Sequence, residues 1–471
     1  MPKIDFSSKN ALVIDSSSLM RTTTITMLTT LGFRRVKGSN TSKRALELVE
    51  QGNYDLVLLG YSDLERLSGL QILEEARFKG LIKPTACWGF MTNDNSSEVV
   101  LHAMQCRPDF LISKPFSIGQ LLSRLQSVLL QKQLVKPINQ ALDSGNLSRA
   151  LEFCDFAIEK NISTIAVQQI KADLLLQTQH YAEALELLNE LAGTASNNSI
   201  DLKVCEALIG TGEKDDALSK LENLISSSPL LIKAYDLKAQ LHEDKGQIEK
   251  SANVLFQAMS LSSLGISRNL KLGKLALTTG KLDMAENAYK RTIQLNNGSC
   301  FRTPEPYFGL ANIKREILKS SEDSREAEQQ IKAILSEAQN SFPDNPELKV
   351  QVALFNSQLQ QDLNNSADAQ QYLEQAQKII LDNNITENLE QLKNSALMKL
   401  PDRLTKKDQL AANQPSIENQ PEMSNKVNLQ GIKQYLANNR AKAVKYFTMS
   451  LELNSENGSA LLNLAQIYLE S

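Results

Sequence analysis

Reactive side chains stand at the ends of several predicted buried strands in the first part of the sequence. Asp15 and Ser16 come at the end of the first strand, Thr92 after the fourth and Lys114 after the fifth. Carboxylates hold divalent cations, and lysine and hydroxyl groups bind phosphoryl oxygens. In a helix-covered parallel sheet, chemistry occurs just beyond the carboxyl ends of the strands. We therefore expect any site in this region to lie at that edge.

The third predicted strand carries no reactive group at its tip. The stretch Tyr54–Tyr61 is an apolar run without alternation, which is typical of a central strand buried on both faces. It ends near Gly60, a residue without a side chain. The middle of the predicted site therefore lacks a nucleophile.

The elements that position these residues alternate between strand and helix. The apolar runs and helix caps predict five strands and five helices, and hence an α/β domain with a five-stranded, parallel, doubly wound sheet. The predicted strands are Ala11–Asp15, Arg35–Ser39, Asp55–Leu59, Ala86–Met91 and Phe110–Ser113.

Several motifs in this region resemble the receiver domain of bacterial response regulators of the chemotaxis-regulator type, over about residues 9–130. Lys114-Pro115-Phe116 after a short apolar strand is the most specific of them. The stretch 55–59 resembles the third strand of the family, and 69–73 resembles the start of its third helix. Thr92 precedes Lys114 by the family spacing of 22 residues.

The resemblance implies a phosphorylation site that is only partly retained. The family places two adjacent acids where this chain has Asp15 and Ser16, and a phospho-accepting Asp where it has Gly60. Thr92 and Lys114 match the hydroxyl and the lysine that hold the phosphoryl group. These residues are pocket remnants around a vacant acceptor position. We expect no catalytic residue and no cofactor. We also expect no bound metal, because Asp15 alone is a weak anchor for Mg²⁺.

Asp63 is the alternative acceptor. It lies three residues beyond Gly60 in a predicted loop, so its direction is not fixed by the sequence. The competing interpretation is an ordinary loop or capping residue.

Beyond about residue 135, paired helices replace the strand pattern. Small residues recur at Ala150, Ala184, Ala217, Ser251 and Ala285, with spacings of 34, 33, 34 and 34 residues. That period is typical of tetratricopeptide repeats, which this region resembles. The chain therefore predicts an α/β receiver-like domain followed by an all-α superhelix.

The predicted domain boundaries follow changes in composition. Residues 1–132 form the receiver-like domain and 135–400 the helical repeats. Residues 401–426 are rich in Asn, Gln, Pro and Ser and predict a flexible linker. Residues 427–471 predict a further repeat whose last helix acts as a cap.

Composition limits the function classes. The net charge of -3 disfavours broad binding to nucleic acids, which requires clustered Lys and Arg. Three histidines and five cysteines are too scattered to form a metal set by local spacing. No apolar run is long enough to insert into a membrane, so we expect a cytoplasmic protein.

Together these features predict a non-enzymatic adaptor in a bacterial two-component pathway. The partners would be proteins, such as a histidine kinase or another response regulator, and the repeat groove would hold a helix or peptide. One alternative is a phosphorylation-controlled response regulator that uses Asp63. Another is a scaffold for assembly of surface or motility machinery.

Overall fold

A computed structural model describes residues 4–41, 43–62, 68–94, 96–160, 165–194, 197–320, 324–383, 385, 389–397, 421–437, 439–454 and 457–470. Asp63, the alternative acceptor, lies outside these ranges. Most of the predicted linker, residues 401–420, also lies outside them.

The first part of the chain folds into a five-stranded parallel sheet, in which the second strand of the sequence forms one edge and is followed by the first, third, fourth and fifth. This confirms the predicted architecture, with strand ends shifted by one or two residues. The elements are β1 (Asn10–Ile14), α1 (Ser18–Thr30), β2 (Arg35–Ser39), α2 (Lys43–Gln51), β3 (Leu56–Tyr61), α3 (Gly69–Phe78), β4 (Cys87–Thr92), α4 (Ser97–Gln105), β5 (Phe110–Ser113) and α5 (Ile118–Leu134).

The central strand explains why its sequence is apolar without alternation. Leu56 and Leu58 pack into the core beneath α1 and α5, whereas Val57 and Leu59 pack into the core beneath α2, α3 and α4. Successive side chains of a strand point to opposite faces. Because both faces of this sheet are covered by helices, β3 needs apolar residues at every position.

The rest of the described chain is helical. The helices are α6 (Lys136–Asp143), α7 (Leu147–Glu159), α8 (Ile165–Gln177), α9 (Tyr181–Thr194), α10 (Asn198–Thr211), α11 (Lys214–Ser227), α12 (Ile232–Asp244), α13 (Ile248–Leu261), α14 (Ile266–Thr278), α15 (Leu282–Leu295), α16 (Glu305–Ser320), α17 (Ser324–Ser341), α18 (Pro346–Asp362), α19 (Ser366–Asp382), α20 (Leu389–Ala396), α21 (Pro421–Leu436), α22 (Arg440–Leu453) and α23 (Gly458–Glu470). None of the helices in the described ranges is long and apolar enough to cross a membrane.

The turn inside each helix pair repeats with the period of the sequence. Gly145, Gly212, Gly246 and Gly280 adopt positive φ angles there, and Gln179 takes the equivalent place in the second pair. A left-handed residue ends one helix and turns the chain into the next. The regular recurrence of this turn confirms the predicted helical repeats.

The structure changes two expectations near the end of the sequence. Helix α21 begins at Pro421, so residues 421–426 are helical and do not belong to a linker. Helix α23 is more than a cap, because it packs against α4 and β5 of the sheet domain. The backbone N–H of Leu111 donates to Oε1 of Gln466 at 3.4 Å.

The sheet domain also contacts a row of loops that join consecutive helix pairs. The side chain of Gln105 donates to Ser262 Oγ, and the side chain of Gln71 donates to the carbonyl of Asn297 at 2.9 Å. Because these loops follow α13 and α15, they recur along one edge of the superhelix. Along this edge, the contacts between the sheet domain and the repeats therefore follow the repeat spacing.

A bidentate ion pair strengthens this interface. Arg268 donates to both carboxylate oxygens of Asp236, and its Nη2 also donates to Gln105 Oε1 at 2.6 Å. The Arg268 side chain is 6% exposed. Its guanidinium is therefore committed to joining α12, α14 and α4.

Glycines allow close crossings within the repeats. A Cβ at Gly273 would lie 2.6 Å from the Tyr289 ring, which is fully buried. The crossing of α14 and α15 therefore requires a residue without a side chain at position 273. By contrast, a Cβ at Gly193 would meet nothing within 4 Å.

We expect Gly273→Ala to destabilise the protein by about 1–3 kcal/mol, because the buried ring cannot move away and overpacking costs that much. The matched change Gly193→Ala adds the same methyl group in open space and should leave stability equal or slightly higher. Thermal melting of the full chain measures both. Equal melting temperatures for the two variants would contradict the proposed steric origin.

Candidate functional site

The carboxyl ends of the strands bring the predicted site residues to one edge of the sheet. Strand pairing places Ile14 beside Leu59, and Tyr61 beside Thr92. Asp15 directly follows β1, and Lys114 directly follows β5. The sheet order therefore assembles residues that are about 100 positions apart in the sequence.

A buried ion pair forms the centre of this edge. Nζ of Lys114 lies 3.1 Å from Oδ2 of Asp15, and the two side chains are 9% and 2% exposed. The same ammonium donates to the Tyr61 carbonyl at 3.1 Å. The other carboxylate oxygen of Asp15 accepts from the Ser17 N–H at 2.9 Å. Both oxygens of Asp15 therefore already have partners.

Gly60 lies against this pair, and the space beside it is filled. A Cβ at position 60 would lie 2.1 Å from Oδ2 of Asp15 and 2.5 Å from its Cγ. On the other side, a Cβ at Gly69 would lie 2.2 Å from the Gly60 carbonyl oxygen, so the start of α3 also approaches closely. The Asp15 carboxylate therefore occupies the place that a side chain at position 60 would need.

Thr92 is brought to the edge, but its hydroxyl is used locally. It accepts from the Asp94 N–H at 2.9 Å and donates to the Asp94 carbonyl at 2.8 Å. The residue is fully buried. In this structure Thr92 stabilises the turn after β4, and Lys114 N–H donates to its carbonyl at 2.7 Å.

Ser16 is joined to the site through its backbone. Arg21, on α1, donates from Nη1 to the carbonyls of Asp15 and Ser16 at 2.5 and 3.3 Å. The contact made by Arg21 was not predicted from the sequence. Its signal was weak, since it is the single charged residue of a helix rich in threonine.

The electrostatics of the pocket leave little to attract a divalent cation. One carboxylate, Asp15, faces one ammonium, Lys114, at 3.1 Å. An Mg²⁺ ion is normally held by carboxylates together with water. Among the described residues of this pocket, the Asp15 carboxylate is already neutralised by Lys114. The arrangement therefore joins strands more readily than it holds a metal ion.

A second group of polar side chains was not found from the sequence. Glu74 on α3, His102 on α4 and Cys106 directly after α4 bring potential metal-ligand atoms within 4.8 Å of one another. The available signal was the spacing of His102 and Cys106, which places them one helical turn apart. Glu74 could not be joined to them by local spacing, because it comes from another helix.

Comparison with protein-family models gives a match in the first part of the chain. Residues 11–126 match the family model of the response regulator receiver domain. A search of curated protein sequences gives no match.

Solved structures show similarity to each part separately. A CheY-like receiver domain protein from Methanospirillum hungatei JF-1 is 22% identical with a TM-score of 0.25, covering 27% of this chain and 98% of its own. The C-terminal part of a TPR repeat-containing protein from Cytophaga hutchinsonii is 10% identical with a TM-score of 0.43, covering 56% and 100%. A tetratricopeptide repeat protein from Parabacteroides merdae ATCC 43184 is 14% identical with a TM-score of 0.33, covering 57% and 99%.

The family match and the sheet order identify the first part of the chain as a response regulator receiver domain. The helix pairs that follow are tetratricopeptide-like repeats, as their regular turns indicate. The chain is thus a receiver domain fused to a repeat superhelix.

We expect Gly60→Ala to destabilise the receiver domain by about 1–3 kcal/mol. The new methyl group would overlap Asp15, which cannot turn away without losing its bonds to Ser17 and Lys114. Gly119→Ala, on the exposed side of α5, is the matched control, because its Cβ would meet only an ordinary contact at 3.8 Å. Urea unfolding followed by fluorescence of Trp88 reports on this domain. An unchanged midpoint for Gly60→Ala would show that the space beside Asp15 is free.

Proposed function

We propose that the protein is a non-enzymatic signalling adaptor whose receiver domain works by binding, without accepting phosphate at the position of Gly60. The observation that carries the proposal is the buried pair of Asp15 and Lys114 beside Gly60. In a working receiver, a lysine and a hydroxyl report the arrival of a phosphoryl group. Here both groups have partners inside the protein.

The interface between the receiver and the repeats supports the same proposal. Helix α23 covers α4 and the edge strand β5, and Leu111 at this contact is 3% exposed. A receiver fixed in this way presents a constant surface together with the repeats. A partner would then recognise a composite surface rather than a domain that changes its state.

The outer face of α1 remains available for a partner. Leu19 is 75% exposed there. The hydroxyls of Thr26, Thr29 and Thr30 donate to carbonyls of their own helix, so their methyl groups contribute to the surface. This face is uncharged except near Arg21, which suits contacts with a partner of mixed apolar and polar character.

The repeats offer a groove on the side formed by the first helix of each pair. A cavity of about 600 Å³ lies there between α14, α16, α18 and α20. It is lined by Thr278, Phe308 and Gln351, among others. The lining also includes the ion pair of Lys274 and Glu305. This mixture of hydroxyls, amides and charged groups suits a helical or extended peptide.

Helix α20 illustrates how this side can hold a helix. The Asn312 side chain donates to the Ala396 carbonyl, and the Gln351 side chain donates to Ser395 Oγ, at 2.8 and 2.7 Å. Ala396 is fully buried against α16 and α18. A partner helix would be held beside it by contacts of the same kind.

Incubation of the full chain with a small phosphodonor and Mg²⁺ tests the receiver. We expect the intact mass to remain unchanged, because position 60 has no nucleophile and the neighbouring carboxylate is paired. Asp63→Ala serves as the control. Addition of a phosphoryl group to the wild type but not to this variant would support the alternative, a phosphorylation-controlled regulator that uses Asp63.

Capture of partners from the source cell tests the repeats. We expect Thr278→Arg to lose the partner, because the long side chain would enter the groove. Ser219→Arg is the matched control, since Ser219 is exposed on α11, the second helix of its pair. Recovery of a kinase or a response regulator by the wild type and the control supports the adaptor. Recovery of surface or motility components alone would favour the assembly scaffold. Equal capture of the partner by Thr278→Arg and Ser219→Arg would exclude the groove as the binding site.

A further inference from the structure

A cavity of about 440 Å³ lies between the receiver domain and the repeats, away from the site beside Gly60. Helices α3 and α4 form one wall, and residues of α12 and α14 form the other. Glu74, His102 and Cys106 line the receiver wall, whereas Arg268 and Phe301 line the opposite one. The polar groups on the receiver wall are of the types that bind metal ions.

The three side chains converge on a small volume. One potential ligand atom from each lies within 4.8 Å of the other two. Nε2 of His102 is 3.4 Å from Oε1 of Glu74. His102 and Cys106 are one turn apart in and directly after α4, so they point to the same side. An imidazole, a thiol and a carboxylate in this arrangement can share one cation.

The imidazole has an unmet hydrogen-bonding requirement, which is the second observation. His102 is 6% exposed, and its buried Nδ1 has no hydrogen-bond partner. Buried side-chain polar atoms nearly always have a partner. A histidine with a purely structural role is expected to form hydrogen bonds at both ring nitrogens. His102 does not do so at Nδ1.

Arg77 also lines the cavity, and its guanidinium is bonded to backbone groups. Arg77 donates to the carbonyls of Cys106 and Arg107, both at 2.7 Å, and so closes the end of α4. Its guanidinium does not neutralise Glu74 in these contacts. Arg268, on the opposite wall, is likewise bonded to Asp236 and Gln105.

We propose that Glu74, His102 and Cys106 form a binding site for Zn²⁺, with a fourth position open to water in the cavity. Nitrogen, sulfur and oxygen ligands together suit Zn²⁺ and do not suit Mg²⁺ or Ca²⁺. Bond lengths of about 2.0–2.3 Å place tetrahedral ligand atoms about 3.3–3.8 Å apart. Side-chain rotation of Glu74 and Cys106 can close the present separations by about 1 Å.

Metal binding would change the state of the thiol. Burial and the charge of Glu74 raise the pKa of Cys106, so the thiol retains its proton in the absence of a cation. On binding, the S–H bond breaks, the proton passes to solvent and the thiolate electron pair is donated to the ion. The dication also neutralises Glu74, which removes one cause of the raised pKa.

Cys300 provides a thiol control in the same region. It lies in the loop before α16, outside the group of atoms within 4.8 Å, and its side chain is half-buried. Its pKa is raised to about 11, first by burial and then by Glu74. Replacing Cys300 therefore tests whether Zn²⁺ binding requires Cys106 in particular or is a general property of cysteines in this region.

The test uses the full chain, stripped of metal with a chelator. We expect one Zn²⁺ per chain in competition with a chromophoric chelator, and a thiolate-to-metal charge-transfer band on addition of Co²⁺. Cys106→Ser and Glu74→Gln should each lower Zn²⁺ affinity at least about tenfold, since even the loss of groups that support ligands costs that much. Cys300→Ser should retain both the affinity and the band.

Thermal melting with and without Zn²⁺ shows that the variants fold and gives a second readout. The ion should raise the melting temperature of the wild type and of Cys300→Ser, and not of Cys106→Ser. Because Glu74 is partly exposed, Glu74→Gln remains informative if the cysteine variant does not fold. Absence of binding by the wild type, equal binding by Cys106→Ser, or loss of the band in Cys300→Ser alone would each overturn the proposal.

Discussion

The buried ion pair between Asp15 and Lys114 joins three strands at the edge where a receiver domain has its site. It connects the end of β1 to the end of β5 and, through the Tyr61 carbonyl, to β3. Removing one partner of such a pair leaves an uncompensated buried charge, which is strongly destabilising. The small size of Gly60 follows from this constraint, because the pair occupies the space beside it. The glycine at position 60 and the stability of this edge are thus two aspects of one arrangement.

The sequence predicts the fold well because its signals are local or periodic. The apolar run of β3 and the recurring turn residues, such as Gly212 and Gly246, depend on neighbouring positions. The candidate site is only partly predictable. The positions of Asp15 and Lys114 follow from the strand order, but the direction of the Asp15 carboxylate depends on contacts with Ser17 and with residues about 100 positions away. The packing of α3 against α4 brings Glu74 close to His102 and Cys106, and this proximity cannot be predicted from the spacing of the residues in the sequence.

The contact between the receiver and the repeats also escapes local patterns. The regular spacing of the repeat loops places Ser262 and Asn297 along one edge, where they bond Gln105 and Gln71. The sequence of each loop has no feature that predicts a contact with the receiver, and the receiver residues that bond the loops lie on two different helices, α3 and α4. Leu461 and Ala465 of α23 belong to the same hydrophobic core as receiver residues and residues of α12 to α15, so the receiver packs against the repeats and is not a separate module.

The docking of α23 has a consequence for how the chain folds during synthesis. Leu111 and Gln466 are separated by 355 positions, so β5 leaves the ribosome long before the helix that covers it. Such non-local contacts form late, because closing a long loop costs entropy before any contact compensates for it. Until then, the edge strand β5 has free backbone groups that can pair with another chain. A chaperone that protects exposed edge strands would therefore have its greatest effect during that period.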